Sequence, residues 1–473
     1  MKESIKVKGS QWLFSYARGF QKLLPSPFAI ALILTAVAGV SALLITDADI
    51  VLKSWSDGLW NPPLMRFGFQ AMFMLVLGHV LALSKPVKRF LDSVVVLAVK
   101  NAAFAPAYVA FFALLLGWFN WGLGLVAGAL LAKSVIDKSS QHGYGIRPGL
   151  LGAAGYMGLL VWHSGLSGSA PLKVAEPGHL VSLYPKGAHW NNPIADSISI
   201  SETVFSYWNI SMTLCVIFAV VLLFILLGHL FKNTTHECEP QPIKSVLDSV
   251  KTDNNLESGN SMAYRIDNGR GLAWLYGALF LGTAVWLTYS SDVTTSRLGF
   301  VTPDWINLIL LGLALLAHGS VNNLLSALEK AIGGAAGILL QFPIYFGIMG
   351  IVTGTGLVDV LSGLLVSTTN PTTLPLAIFT SSGLLNIFVP SGGGQWAVQG
   401  PLVIEACHSM GIGLEKGIMA MAYGDQWTNM LQPFWALPLL GITKLKASDI
   451  LPFTLAAWMV SGIVFIVGLL LMS

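Results

Sequence analysis

Phe388-Val389-Pro390-Ser391-Gly392-Gly393-Gly394-Gln395-Trp396-Ala397-Val398-Gln399-Gly400-Pro401 interrupts a tract that carries no charge from Val360 to Ile404. A proline and three consecutive glycines disfavour continuous helix there. Hydrocarbon offers no hydrogen bonds, so irregular backbone at membrane depth persists only where protein or a water-filled cavity surrounds it. The stretch therefore predicts a binding site inside a membrane protein.

Composition agrees on the class. Of 473 residues, 54% are hydrophobic and 10% are charged, with a mean hydropathy of +0.69; soluble domains carry about 25% charged residues. Repeated apolar runs of about 20 residues predict an all-α polytopic protein embedded in a lipid bilayer. The short alternating segments of a β-barrel are not evident. A net charge of +3 gives no reason to expect nucleic acid. Cys215, Cys238 and Cys407 have no disulfide or metal spacing, and His236-Glu237-Cys238 reads as a solvated loop. No nucleotide, metalloprotease or Ser/His/Asp pattern occurs, so neither an enzyme nor a cofactor or metal is expected.

The hydrophobic runs predict spans at Pro27–Thr46, Leu64–Ser84, Pro148–Pro171, Val204–Phe231, Leu272–Ser290, Trp305–Ser320, Ala335–Gly354, Gly417–Gly441 and Ile450–Met472. Two tracts do not fit this scheme: Ala102–Ala132 has 31 residues and Pro371–Ile404 has 34. One crossing takes about 20 residues and two take about 40. Each tract breaks near its middle, at Asn120–Gly124 and at Pro390–Gly394. Arms of about 14 residues reach about 21 Å, past the midplane of a core about 30 Å thick. Re-entrant helical hairpins over 102–132 and 371–404 are predicted, with pairs of short tilted spans as the alternative.

Lys and Arg positions orient this layout. With the N-terminus cytoplasmic and both tracts re-entrant, all but six of the 26 basic residues fall on the cytoplasmic side. Lys53, Arg66, Lys173, Lys186, Arg297 and Lys416 are left outside, and the C-terminus is extracytoplasmic. The first hairpin, flanked by Lys100 and Lys133, then enters from the cytoplasm and the second from outside. That is an inverted repeat. Residues 1–26 read as a cytoplasmic interfacial segment, 27–231 as the first repeat, 232–270 as a polar cytoplasmic linker and 271–473 as the second repeat. Each repeat adds a broken helix to its hairpin, at 148–171 and 417–441, and paired breaks of this kind point to a transporter's binding site.

Helices that begin inside the membrane leave N–H groups unpaired at a positive dipole end, which favours an anion. Ser391, Gly392, Gly393, Gly394, Gln395 and Gln399 in the second hairpin, Asn120 and Gly122 at the first tip, and Ser167 and Ser169 in the first break are the candidate carboxylate ligands. No Lys or Arg lies deep in a hairpin or break, which favours a small monocarboxylate over a dianion. Trp121, Trp162, Trp396 and Phe388 could meet an aliphatic tail or could simply be core or interfacial aromatics. Intramembrane ionisable residues are rare and functional. Asp425, with Thr428 and Asn429, and His163, with Ser164, are candidates for a coupling ion, Na+ or H+. The alternative for both charged residues is structural hydrogen bonding.

The run Ser391–Pro401, the upstream Thr368-Thr369-Asn370-Pro371-Thr372 and the His163–Pro171 break resemble the short-chain fatty acid transporter family, the bacterial acetoacetate and butyrate uptake type. The resemblance extends over nearly the whole chain in length, span order and linker position. It implies an ion-coupled transporter of the bacterial cytoplasmic membrane with a scaffold that dimerises, an elevator-like movement of the hairpin part, and site roles for Ser391 to Gln395 and Gln399. One departure is that Asn120-Trp121-Gly122 lacks the serine and triple glycine of the second tip. A carrier for another organic anion such as a dicarboxylate, and an anion channel, are the competing readings.

Overall fold

The computed structural model describes residues 27–141, 146–183, 195–231, 261–290, 300–389, 391–432 and 435–472. Every regular element among them is a helix. The chain is thus an all-α protein, and five stretches are long and apolar enough to cross a membrane. The 1–26 segment and most of the 232–270 linker lie outside the described residues.

In the first half, α1 (Pro27–Leu43), α2 (Ala48–Leu59), α3 (Pro62–Ala82) and α4 (Lys85–Ala98) lead into α5 (Ala105–Phe119) and α6 (Trp121–Gln141). Asn61 starts α3 by accepting the Leu64 N–H at 3.2 Å, ahead of Pro62 at the first helical position. The α5–α6 pair folds back on itself, and a Cβ on Gly124 would collide with the backbone of Gly117. Only glycine permits that approach. Next comes α7 (Pro148–Tyr156), a 3-10 turn at Met157–Leu160, an irregular stretch, α8 (Ser169–Lys173), α9 (His179–Ser182) and the long α10 (Tyr207–Phe231).

The second half has α11 (Met262–Asn268), α12 (Arg270–Ser290), α13 (Pro303–His318), α14 (Val321–Ala331), α15 (Ala336–Gly354) and α16 (Leu357–Thr368). Gly319, in the left-handed region at φ 71°, ends α13, and Ser320 caps α14 through the Asn323 N–H at 3.3 Å. Then α17 (Leu374–Phe388) and α18 (Gly392–Met410) pair, and α19 (Leu414–Thr428) passes through a 3-10 turn at Asn429–Leu431 to α20 (Leu437–Thr443) and α21 (Ala447–Met472).

Burial divides these helices by role. Helices α10, α12 and α21 expose large apolar side chains such as Phe218, Trp286 and Leu471, as lipid-facing helices must. Helices α6, α7, α18 and α19 are mostly buried and form the centre. Against them stands a second group: α2 packs on α15 through Gly58 and Gly350, and α3 packs on α13 and α15.

Several boundaries differ from the sequence reading. The first break is Asn120 alone, since Trp121 to Gly124 already form the first turn of α6, and α6 continues to Gln141 rather than stopping near Ala132. In the second tract Gly392 to Gly394 likewise begin α18. Residues 262–268 of the expected linker are helical, held by Ser261 accepting the Tyr264 N–H. Helices α2, α4, α14 and α16 belong to none of the expected spans, because charged or polar residues interrupt their apolar runs.

Candidate functional site

The two broken helices meet at the centre of the molecule, and the tip of the α17–α18 pair rests on them. Ser391 is the N-cap of α18, its Oγ accepting the Gly394 N–H at 3.3 Å while its carbonyl takes Gln395 N–H at 2.7 Å. The amides of Gly392 and Gly393 belong to the first turn, where helical geometry supplies no partner. Ser391, Gly392 and Gly393 line a cavity shared with Trp121, Trp162, Ser169, Phe342, Asn429 and Trp435. Its volume is about 20 Å³. That holds little more than one water, which needs about 10–15 Å³ by the same measure. The cavity is too small for a ligand with a carboxylate and a tail, which would need it to widen.

The glycines are needed for proximity. A Cβ at Gly392 would lie 2.6 Å from the Trp162 ring and 2.7 Å from His163 Cε1. One at Gly393 would lie 2.9 Å from both Phe67 Cζ and Phe342 Cζ, and one at Gly394 would overlap the Tyr345 ring. The triple glycine therefore brings bare helix-start backbone against an aromatic wall.

The structure divides the other expected ligands. Ser169 and Asn429 line the cavity. Asn120 is spent on its own helix, its Oδ1 accepting the Leu123 N–H at 2.8 Å, and Ser167 Oγ accepts the Trp121 N–H at 2.9 Å. Gly122 packs against Leu75. Gln395 and Gln399 hold the two arms of the second pair together. Gln395 Nε2 donates to Ser382 O at 2.9 Å and Gln399 Oε1 at 3.0 Å, and Gln399 Nε2 donates to Ser381 Oγ at 3.1 Å. Trp396 points away from the cavity, its Nε1–H donating to His179 Nε2 at 2.9 Å. The Phe388 side chain, Pro390 and the 236–238 triplet lie outside the described residues.

The ionisable pair comes together across the halves. His163 Nδ1 is 2.5 Å from Asp425 Oδ2, both side chains being buried, and the His163 ring stacks on Trp162. Ser164 N–H donates to Gln426 Oε1 at 3.0 Å, and Tyr156 donates to Asn429 O at 3.0 Å. These bonds interlock the first break with the second. Asn386, on α17, was not singled out from sequence. Its Nδ2 sits among Asp425 O, Thr428 Oγ1 and Asn429 Oδ1 at 2.7, 3.0 and 3.0 Å. Its signal was a lone amide in an apolar arm.

A second polar group lies behind the tip. Lys173, expected in an outer loop, is 2% exposed and donates to Gln70 Oε1 at 3.0 Å and to Glu176. Gln70 Nε2 donates to Glu176 Oε1 at 2.8 Å and to Asp304 Oδ1 at 2.7 Å, and Asp304 also pairs with Arg66. Lys173 stands 5.6 Å from the Phe67 ring centroid, the ring that touches the Gly393 position. Long-range packing thus brings a lysine from outside the hairpins and breaks to the back of the tip's aromatic wall. Burial lowers the Lys173 pKa, against the pull of Glu176. Burial, with Lys173 nearby, also holds His179 down at about 3, so its ring is neutral and free to accept from Trp396. Among the described residues no cluster of three or more His, Cys, Asp or Glu could hold a metal ion.

Residues 14–472 match the family described as short chain fatty acid transporter. A candidate short-chain fatty acid transporter of Escherichia coli K12 is 36% identical over 464 residues, covering 96% of this chain and 98% of its own. Its Haemophilus influenzae Rd counterpart is 35% identical over 451 residues, covering 95% and 96%. Among solved structures, the YdaH transporter of Alcanivorax borkumensis, described as having an unusual topology, aligns with a TM-score of 0.56 at 15% identity over 94% of this chain and 98% of its own. MtrF of Neisseria gonorrhoeae, described within a class of antimetabolite efflux pumps, aligns with a TM-score of 0.59 at 12% identity over 96% of each chain. At such identities the likeness is one of fold.

Proposed function

The chain belongs to the short-chain fatty acid transporter family, and from that premise we propose that it is an ion-coupled secondary transporter importing acetoacetate- and butyrate-class acids across the bacterial inner membrane. It is a transporter rather than an enzyme. One observation carries the substrate reading. The start of α18 brings Gly392 and Gly393, whose amides lie in the first turn beyond the reach of intrahelical bonding, to a cavity at the junction of two broken helices, walled by Trp121, Trp162 and Trp435. Amides and a positive helix end suit a carboxylate, and the indoles suit a short tail. A cavity of about 20 Å³, which must widen to admit its cargo, suits a carrier better than an open anion channel.

The grouping of helices supports an alternating-access reading. The α5–α6 and α17–α18 pairs enter as opposed re-entrant hairpins of an inverted repeat and move with the broken helices against a scaffold of α2, α3, α13 and α15 that dimerises. The coupling ion, Na+ or H+, is held near Asp425. The N-terminus is cytoplasmic and the C-terminus extracytoplasmic. Uptake of labelled butyrate and acetoacetate into proteoliposomes, each ion gradient imposed in turn, tests this. Accumulation above protein-free vesicles is expected; no gradient-dependent uptake of any such acid refutes it, and competition by succinate but not butyrate would reassign the substrate.

A further inference from the structure

We propose that the coupling ion is a proton and that it is carried on Asp425 Oδ1, with His163 as the positioning residue; this rests on the carboxylate-import reading above. The assignment starts from the tautomer. His163 Nε2 accepts the Ala170 N–H at 3.2 Å, so that nitrogen carries no hydrogen. The ring's single proton is then on Nδ1, directed at Asp425 Oδ2 at 2.5 Å. The other carboxylate oxygen, Oδ1, is buried and has no hydrogen-bond partner. An unsatisfied carboxylate oxygen in a dry interior is costly. Protonation there removes the charge while leaving the bond from His163 in place.

The surroundings favour a proton over a metal cation. A hard cation would need several oxygens turned toward one point. Three oxygens beside Asp425, its own carbonyl, Thr428 Oγ1 and Asn429 Oδ1, already converge on the amide of Asn386. A donor occupies the place where a cation would sit. The other titratable groups on neighbouring elements are Tyr156 and Tyr423, whose hydroxyls donate to Asn429 O and to Asn209 Oδ1. Lys173 at the end of α8 is turned to Gln70 and Glu176. Cys407, Glu405 and His408 lie toward the opposite end of α18, Glu415 lies at the start of α19, and Asp449 at the start of α21 bonds the Lys446 amide.

Coupling follows from proximity. His163 lies against Gly392, which lines the cavity, so the dyad stands directly behind the proposed carboxylate site. Two negative charges so placed in a low-dielectric interior oppose each other. Water in the opened site delivers H+ to Oδ1, converting the carboxylate to the acid, and the anion then binds beside a neutral partner. The loaded unit gains one proton and one carboxylate, so it crosses with the same charge as the empty unit and the cycle moves no net charge. Reciprocity requires that the anion raise proton affinity as much as the proton raises anion affinity, a factor of about 5–150 in typical coupled systems.

The full-length protein in proteoliposomes tests this. With D425N, concentrative butyrate uptake driven by a pH gradient should be lost, while butyrate–butyrate counterflow, which moves no net proton, should persist at a rate independent of pH. H163N, which keeps an N–H toward Oδ2, should retain pH-driven uptake with a displaced pH profile. For the unaltered protein, calorimetry in buffers of different ionisation heat should show uptake of about one proton per butyrate at pH values where Asp425 is ionised. This measurement stands even if D425N fails to fold. Accumulation by D425N under a pH gradient, a sodium requirement, or butyrate binding with no proton uptake at any pH would overturn the proton assignment. Absence of butyrate counterflow in the unaltered protein would instead overturn the substrate reading.

Discussion

Glu176→Gln is the substitution whose cost the structure bounds most closely. The Lys173 ammonium is buried and has two acceptors, the Glu176 carboxylate and Gln70 Oε1. Exchanging the carboxylate for an amide leaves a buried positive charge among neutral groups, with Asp304 reached only through Gln70. Removing one partner of a buried ion pair costs about 3–5 kcal/mol. The Glu176 side chain keeps 12% exposure, so the lower end applies, about 3 kcal/mol. An unfolding entropy of about 2.1 cal/mol/K per residue gives about 1 kcal/mol/K over 473 residues. The thermal midpoint in detergent should therefore fall by about 3 °C. Lys173→Met removes the charge that needs compensation while filling similar apolar volume beside Phe67. The double variant should recover at least half of the loss, the signature of a coupled pair. Glu176→Gln melting with the unaltered protein, or a double variant no better than the single, would refute the reasoning.

Other expectations concern the tip and its supports. Ser391→Ala removes a helix cap worth about 1 kcal/mol, and Gly393→Val drives methyls into Phe67 and Phe342; each should abolish butyrate uptake while leaving membrane insertion intact, and normal uptake by both purified variants would remove these residues from the site. Asn386→Ala withdraws one donor from three oxygens and should cost about 1–3 kcal/mol, read as a lower thermal midpoint; an unchanged midpoint would mean water replaces the amide. His179 sits at about 3 when folded against an ordinary 6.5. Between those values the unfolded chain binds a proton that the folded chain does not, so stability falls as pH drops through that window. His179→Gln, which still offers Trp396 an oxygen, should flatten the decline in midpoint between about pH 7 and pH 5 relative to the unaltered protein; identical slopes would exclude His179 as its source.

Apolar periodicity and length made the helices and the two paired tracts legible from sequence, because burial in lipid or protein demands those runs. The breaks were legible only approximately. The glycine runs suggest that the glycines are the interruption itself, yet Gly122 and Gly392 to Gly394 are helical, and among the described residues the non-helical positions are Asn120, Val389 and Ser391. A side chain that caps the next turn sets that point, as Asn120 does for Leu123 and Ser391 for Gly394. His163 and Asp425 stood out because ionisable residues are scarce in such tracts, although their contact, across 262 residues of chain, had no local signal. Lys173 was misplaced for the same reason. Its acceptor Gln70 is 103 residues away, and hydropathy alone sends a lysine to the surface.

The Lys173 network also bears on the alternating-access motion proposed above. Where the α18 tip meets the scaffold, the contacts are ring edges of Phe67, Phe342 and Tyr345 against bare glycine backbone. Such a boundary is smooth, since dispersion contacts can be exchanged for similar ones at small cost. The polar ties from α8 and its following turn to the scaffold are different. Lys173 to Gln70 and Gln70 to Glu176 join the first broken helix to α3, and Gln70 in turn binds Asp304 at the start of α13. Displacement of the broken helix along α3 must break the first two of these bonds together, at one end of a boundary that is otherwise apolar. Hydrogen bonds to charged groups are worth about 1.5–3 kcal/mol each, so these ties would oppose the displacement without locking it. In the alternating-access motion proposed above, the residues that stabilise the fold would also set the bias between conformations. Glu176→Gln should lower the melting midpoint and also raise the reactivity of a cysteine introduced at Ala71, on the cavity wall, toward a water-soluble thiol reagent. A variant that melts early with Ala71→Cys still protected would show that the network holds the fold and not the gate.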